Sequence, residues 1–244
     1  MSLEAVSSAG RRRGAPVRAL LLAVFFVVLA GCAATQTATQ IDRLERTGAK
    51  PRILLMTPDV KYYLWTASGI TELQAEWTEA ARTNFVNATT AYAQQRDADL
   101  VVMGKSVGND ALVRRYETLH ATVGNTILTN YFGVAKLPSK AGGFDWSLGP
   151  GISEVAERYS ADYALFVFYR DYQSSGGRIA MSILSAALGG GMSTTAEFGF
   201  ASLVDLKSGD VVWFNKVNVG AGELRDASGA AAVVNTLFQG LPAD

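Results

Sequence analysis

One run of eight residues limits the folds open to this chain more than any other: Asp162-Tyr163-Ala164-Leu165-Phe166-Val167-Phe168-Tyr169. Its aromatic and β-branched side chains suit a pleated sheet. Its apolarity is nearly continuous and lacks the polar alternation of a half-solvated strand. Such a strand belongs at the centre of a sheet covered on both faces, so the chain must supply helices on either side.

Those helices are legible. Leu73, Trp77, Ala81, Phe85, Ala88 and Tyr92 recur at steps of three or four and define one apolar face. Thr71 and Gln74 have capping-box spacing at its start. Glu72, Glu76 and Glu79 fall elsewhere and read as a solvated surface, since no histidine is close in sequence to complete a carboxylate metal site. Asp110 precedes a second helix as an N-cap residue, with a stripe of Leu112, Tyr116, Leu119, Val123 and Ile127 ending near Tyr131-Phe132-Gly133. Ile152–Tyr159 reads as a short helix. Asp226 caps a last one carrying Ala230, Val233, Val234, Leu237 and Phe238. Between them, Arg52–Met56 and Asp99–Gly104 read as buried strands, Lys61–Trp65 as an extended piece, and Phe198–Asp205 with Val211–Val217 as a hairpin turned by Ser208-Gly209. Strand alternating with helix argues for βαβ units. The expected fold is α/β (α+β): one three-layered domain over residues 51–244, with a mixed sheet of about five strands flanked by helices.

Two segments interrupt this order. Residues 133–151 are broken by Gly133, Pro138, Gly142, Gly143, Gly149, Pro150 and Gly151, a long loop of the kind that often carries function. Phe144 and Trp146 within it either pin the loop to the core or offer a contact. Residues 176–195 form an apolar, small-residue insertion flanked by glycines. Ile179, Met181, Ile183, Leu184 and Leu188 there are candidate contacts for a partner or ligand. Three arrangements fit: a core-packed helix, an exposed apolar segment facing a partner or membrane, or strands paired in an oligomer. Gly189-Gly190-Gly191 lacks the Lys-Ser/Thr that a phosphate loop requires.

The N-terminus has its own character. Arg11, Arg12, Arg13 and Arg18 precede an apolar run from Ala19 to Ala30, then Gly31-Cys32. A basic region, an apolar run of about a dozen residues and small residues at a cleavage point describe a secretory signal. The run is short for a membrane-spanning helix, which needs about 20 apolar residues. Leu29-Ala30-Gly31-Cys32 resembles the bacterial lipobox. The resemblance implies a signal peptide over 1–31, cleavage between Gly31 and Cys32, diacylglycerol on the Cys32 thiol and an N-acyl chain such as palmitate. Three acyl chains exceed the two signals that stable anchoring takes. Ala33 rather than Asp after the cysteine implies the outer membrane, with the domain on the periplasmic face, and makes the inner membrane the lesser expectation. Residues 32–50, rich in Ala, Thr, Gln and charge, read as a flexible lipidated tether with room for a short helix around Ile41–Arg46.

Composition then excludes function classes. Without residues 1–31 the chain holds 18 basic and 21 acidic residues, a net charge of −3, which offers no field for nucleic acid. Cys32 is the only cysteine, so no disulfide forms within the chain. His120 is the only histidine, which argues against a His-dependent triad and a zinc site. One residue past the apolar stripe, it is expected at the surface or its boundary. No S-x-x-K occurs, and no metal or cofactor is expected.

Ala161–Val167 and Leu203–Trp213, the latter a D-x-x-[ST]-G-x-x-x-W hairpin over Asp205, Ser208, Gly209 and Trp213, resemble a group of bacterial envelope lipoproteins. The group includes the curli secretion lipoprotein, the LpoB-type activators of peptidoglycan synthases and the TolB N-terminal domain. The resemblance implies no active site. The expected function is a non-catalytic binding or assembly module of the cell envelope, serving secretion, transport or wall synthesis, held to the membrane by lipid and engaging a protein partner or itself. The alternatives are an envelope hydrolase acting on glycan or lipid, and a small-molecule or lipid carrier with Tyr62, Tyr63, Trp65, Phe144 and Trp146 around a pocket.

Overall fold

The apolar run forms the middle of the longest strand, and the other elements are arranged about it. The computed structural model describes residues 35–45, 50–104, 110–140, 142–218 and 220–243; the leader, Gly31 and Cys32 lie outside them. The strands are β1 (Thr35–Thr39), β2 (Arg52–Leu55), β3 (Asp59–Trp65), β4 (Thr71–Leu73), β5 (Asp99–Val102), β6 (Tyr163–Ser174), β7 (Thr195–Asp205) and β8 (Val211–Asn218). The helices are α1 (Ala75–Gln95), α2 (Ala111–Ile127), α3 (Ser153–Tyr159), α4 (Gly176–Ala187) and α5 (Ala227–Leu237). The fold is a mixed α/β domain whose open sheet has eight strands in the order β1-β8-β7-β6-β2-β5, with β3 beside β6 and β4 beside β3.

The extra strands come from two sources. Residues 52–65 run along one edge of β6 in two pieces, Ile53–Leu55 pairing with Tyr163–Leu165 and Asp59–Trp65 with Phe168–Ser174, both parallel. Three residues separate Leu55 from Asp59 where two separate their partners Leu165 and Phe168, so the chain bulges before β3, at a segment containing Pro58, which has no amide proton to donate to a ladder. The turn at Thr66–Ile70, with Gly69 at φ +86°, then folds Thr71–Leu73 back on β3. The capping box expected at Thr71–Gln74 is therefore a strand. α1 starts at Ala75 after Gln74, whose side chain makes no cap hydrogen bond, and Leu73 is exposed.

The second source is the expected tether. Thr35–Thr39 is an antiparallel edge strand on β8, and beyond it Leu44 is buried while its amide donates to the Ala243 carbonyl at 3.1 Å. No helix forms over the described part of 41–46. Backbone hydrogen bonds hold this edge, so it needs no apolar periodicity.

β6 separates two cores. Tyr163, Leu165, Val167 and Tyr169 face α1 and α5, packing with Phe85, Trp213 and Phe238. Ala164, Phe166 and Phe168 face α2, α3 and loop 133–151, packing with Tyr116, Ile152 and Phe214. The expected caps form: the Asp110 carboxylate accepts from the Leu112 amide at 2.9 Å and that of Asp226 from the Gly229 amide at 2.7 Å. Gly209 turns the β7–β8 hairpin at φ +85°. A side chain there would also strike the Gly149 carbonyl oxygen at 2.2 Å, because loop 133–151 is strapped to the turn: Leu148 donates to the Gly209 carbonyl and Val211 to the Trp146 carbonyl, each at 2.8 Å.

The histidine is a correction. His120 is 4 % exposed, stacked on Phe166 at 4.6 Å with its Nε2 2.7 Å from the Ser202 hydroxyl. The buried face of α2 is Val113, Tyr116, His120, Gly124 and Ile127, rotated by about one residue from the expected stripe. Gly124 sets that rotation. A Cβ there would lie 2.0 Å from the Phe200 ring, so only a glycine lets α2 approach the sheet with this face inward.

Candidate contact surface

Beyond Asp171 the three strands β3, β6 and β7 extend past both cores, and their residues become half-exposed or exposed. An aromatic shelf stiffens this projection. Tyr63 stacks on Tyr172 at 4.9 Å and 11°, with Trp65 edge-on at 6.3 Å and Phe198 at 6.4 Å on the same tyrosine. α4 sits at the tip, in place of a tight turn between β6 and β7.

α4 is seated by its polar side. Ser175 caps it, accepting from the Arg178 amide at 3.3 Å, while the Ser175 amide donates to the Trp65 carbonyl at 2.9 Å. Arg178 is buried; its guanidinium lies 3.6 Å over the Trp65 ring and donates to the Ser193 carbonyl at 3.0 and 3.2 Å. Ser182 and Ser185 follow on the same inward face, both half-buried. At 100° per residue, Ile183 and Leu184 lie opposite this face, with Ile179, Met181 and Leu188 on its flanks and all five exposed. Ile183, Leu184 and Leu188 are 66, 62 and 80 % exposed. The helix is amphipathic with its apolar side turned outward. Ile70 in the β3–β4 turn is also exposed, at 62 %. From Ile179 to Ala196 there is no charged residue.

The other candidates are placed differently. Trp146 is 7 % exposed within the core beside α2, and half-buried Phe144 packs on Tyr131 at 5.1 Å and Phe214 at 6.3 Å. Both pin the loop; Trp146 offers no surface. The aromatics that a carrier would need around one pocket are dispersed: Tyr62 lies in the core beside α1, Tyr63 and Trp65 on the projecting shelf, Phe144 and Trp146 across the sheet. A cleft of about 550 Å³ opens instead where β2 and β5 end, between Met56, Pro58, Arg82, Asn87 and Met103. Glu72, Glu76 and Glu79 are exposed on α1 and β4.

A charged cluster that the sequence did not reveal lies under the projection. Register puts Tyr62, Asp171 and Glu197 in one row across β3, β6 and β7. The Tyr62 hydroxyl donates to Glu223 at 3.0 Å, the Tyr169 hydroxyl donates to Glu197, and Arg225 pairs with Glu223 at 2.6 Å. Asp171, 3 % exposed, accepts from the Gln173 amide at 2.7 Å. Burial first, then the neighbouring carboxylates Glu197 and Glu223, pushes its acid up to about 6. Burial and the same carboxylates push both tyrosine hydroxyls upward. Burial drives His120 down to about 3, so it is neutral. Among the described residues no group of three or more His, Cys, Asp or Glu is arranged to hold a metal ion, and no helix is long and apolar enough to cross a membrane.

The fold and this surface define a mixed α/β domain with an outward-facing apolar helix at one end. No family model and no curated protein matches the chain. Among solved structures it is similar to the PelC dodecamer from Paraburkholderia phytofirmans, at 12 % identity and a TM-score of 0.40, over 86 % of this chain and 97 % of that one. A single-substitution form of that dodecamer matches at 12 % identity and a TM-score of 0.41, over 87 % of this chain and all of the other.

Proposed function

We propose that this protein is a lipid-anchored module of the cell envelope, held by Cys32 at the periplasmic face of the outer membrane, that works by contact rather than turnover. The observation that carries the reading is α4. A soluble domain gains nothing by burying serines and presenting Ile183, Leu184 and Leu188 to water, and exposed apolar patches of this kind mark binding surfaces. Two further features support it. The Ser202–His120 pair, which has the residue types of a nucleophile and its base, is sealed at 1 and 4 % exposure where no substrate reaches it. Lipobox chemistry at Leu29-Ala30-Gly31-Cys32 would keep the domain at a membrane, where a contact surface has a permanent neighbour.

The test has two arms in the native cell. Cys32→Ser should move the protein out of the detergent-soluble membrane fraction, apart from unprocessed precursor. Ile183→Asn with Leu184→Ser should remove co-purifying envelope components, or self-association, while the domain stays folded. Wild-type behaviour in both arms would overturn the reading. A carrier function is the second reading, favoured by the cleft at the ends of β2 and β5, a position where open α/β sheets bind ligands. Native mass spectrometry showing a retained small molecule would support it.

A further inference from the structure

The sheet register fixes the end of the molecule at which the N-terminal chain emerges. Thr35 pairs with Val217, Val217 with Gly199, and Gly199 with Tyr169. Thr39 pairs with Trp213, Trp213 with Leu203, and Leu203 with Leu165. β1 therefore runs opposite to β6, and the chain ahead of Thr35 leaves on the side toward which β6 climbs to α4. Cys32 is three residues away, a reach of at most about 10 Å. Ser174, just before α4, is five residues past the Tyr169 level, about 17 Å at the strand rise.

From this geometry we infer that the outward face of α4 inserts into the same lipid leaflet that receives the acyl chains of Cys32. The inference rests on the lipid anchor proposed above and names the occupant of that contact surface. Three observations favour a bilayer over a second copy or another protein. α4 is a projecting tip, and a helix of twelve residues presents a face of about 18 by 10 Å, near 200 Å², against roughly 800 Å² per partner in a stable protein interface. The 18 residues from Ile179 to Ala196 hold no charge, whereas a protein interface has a polar rim. The helix is held by its polar side through Arg178, Trp65 and Ser193, so its apolar side can enter lipid without leaving the domain. Lipid chains and α4 together give two attachment points, which would stand the sheet upright on the leaflet.

The test uses the full-length, natively lipidated protein reconstituted into phosphatidylethanolamine–phosphatidylglycerol vesicles containing a spin-labelled quencher lipid. Leu184→Cys, Leu188→Cys and, as the inward control, Ser185→Cys each carry a fluorophore. The native thiol is occupied by lipid, so each variant has one reactive cysteine. The expected result is several-fold stronger lipid quenching at 184 and 188 than at 185. Equal, water-like quenching at all three positions on vesicle-bound protein overturns the inference and leaves the anchor standing. Excimer formation between pyrenes at position 184, without lipid quenching, assigns the face to a second copy and also overturns it. Failure of the protein to stay on vesicles at all removes the anchor, and with it the proposed function.

Discussion

Asp171→Asn should stabilise this domain, and by an amount that depends on pH. Asp171 is buried in a row with Tyr62 and Glu197, and it is faced by Tyr169 from its own strand and by Glu223 and Arg225 from the loop after β8. Its acid titrates near 6 in the fold against an ordinary 3.8. A carboxyl raised in this way favours folding below its unfolded value, and that contribution is lost as pH rises through 6. At pH 7.5 the ionised group costs about 3 kcal/mol, at pH 5 about 1.6 kcal/mol and at pH 4 about 0.5 kcal/mol, using 1.36 kcal/mol per pH unit. Asparagine has nearly the same shape, keeps an acceptor for Gln173 and carries no charge at any pH. Urea unfolding should therefore give the variant an advantage approaching 3 kcal/mol at pH 7.5, roughly 6–12 °C in Tm for a domain of this size. That advantage should shrink by more than about 1 kcal/mol at pH 5. A destabilised variant at pH 7.5, or an advantage that does not change with pH, would refute the reasoning.

Three further outcomes follow from the geometry. His120 is held neutral well below its ordinary value, so its contribution is present above pH 6.5 and fades as pH falls toward 3; His120→Phe with Ser202→Ala, which leaves no orphaned hydroxyl, should flatten the stability profile between pH 6.5 and 4. Gly124→Ala should destabilise by about 1–3 kcal/mol in chemical unfolding, despite alanine's better helix propensity, because the new methyl meets the Phe200 ring. Ile183→Asn with Leu184→Ser should change the unfolding free energy by no more than about 0.5 kcal/mol per site, since neither side chain contributes to a core; a large loss would mean that α4 packs inward.

What the sequence made legible was what periodicity and turn chemistry encode: β6 as the central strand, the α5 face, Ala81 and Phe85 of α1, the Asp110 and Asp226 caps, and the Ser208-Gly209 hairpin. The buried face of α1 otherwise runs through Thr78, Thr89 and Ala93, with Trp77, Ala88 and Tyr92 only partly buried. The misses share a physical cause. β1 and β4 are held by backbone pairing, and their residues, Thr35–Thr39 and Thr71–Leu73, carry no pattern that distinguishes a paired edge from a loop or a capping box. The rotation of α2 depends on one long-range fit, Gly124 against Phe200, which put His120 inside and Leu119 off the buried face. The composition of α4 was plain from the start, but not which side faces the sheet. That is decided by Arg178 reaching back over Trp65, 113 positions earlier in the chain, to the Ser193 carbonyl. The Asp171–Glu197 pair is likewise a matter of register between β6 and β7.

Photo-crosslinking along α4 in intact cells tests the central claim most directly. A photoreactive residue placed in turn at 182, 183, 184, 185 and 188 should give adducts with envelope lipid or another envelope component at 183, 184 and 188, and none at 182 and 185. Adducts on both faces alike, or on neither, would contradict the assignment of this helix as the surface through which the protein works.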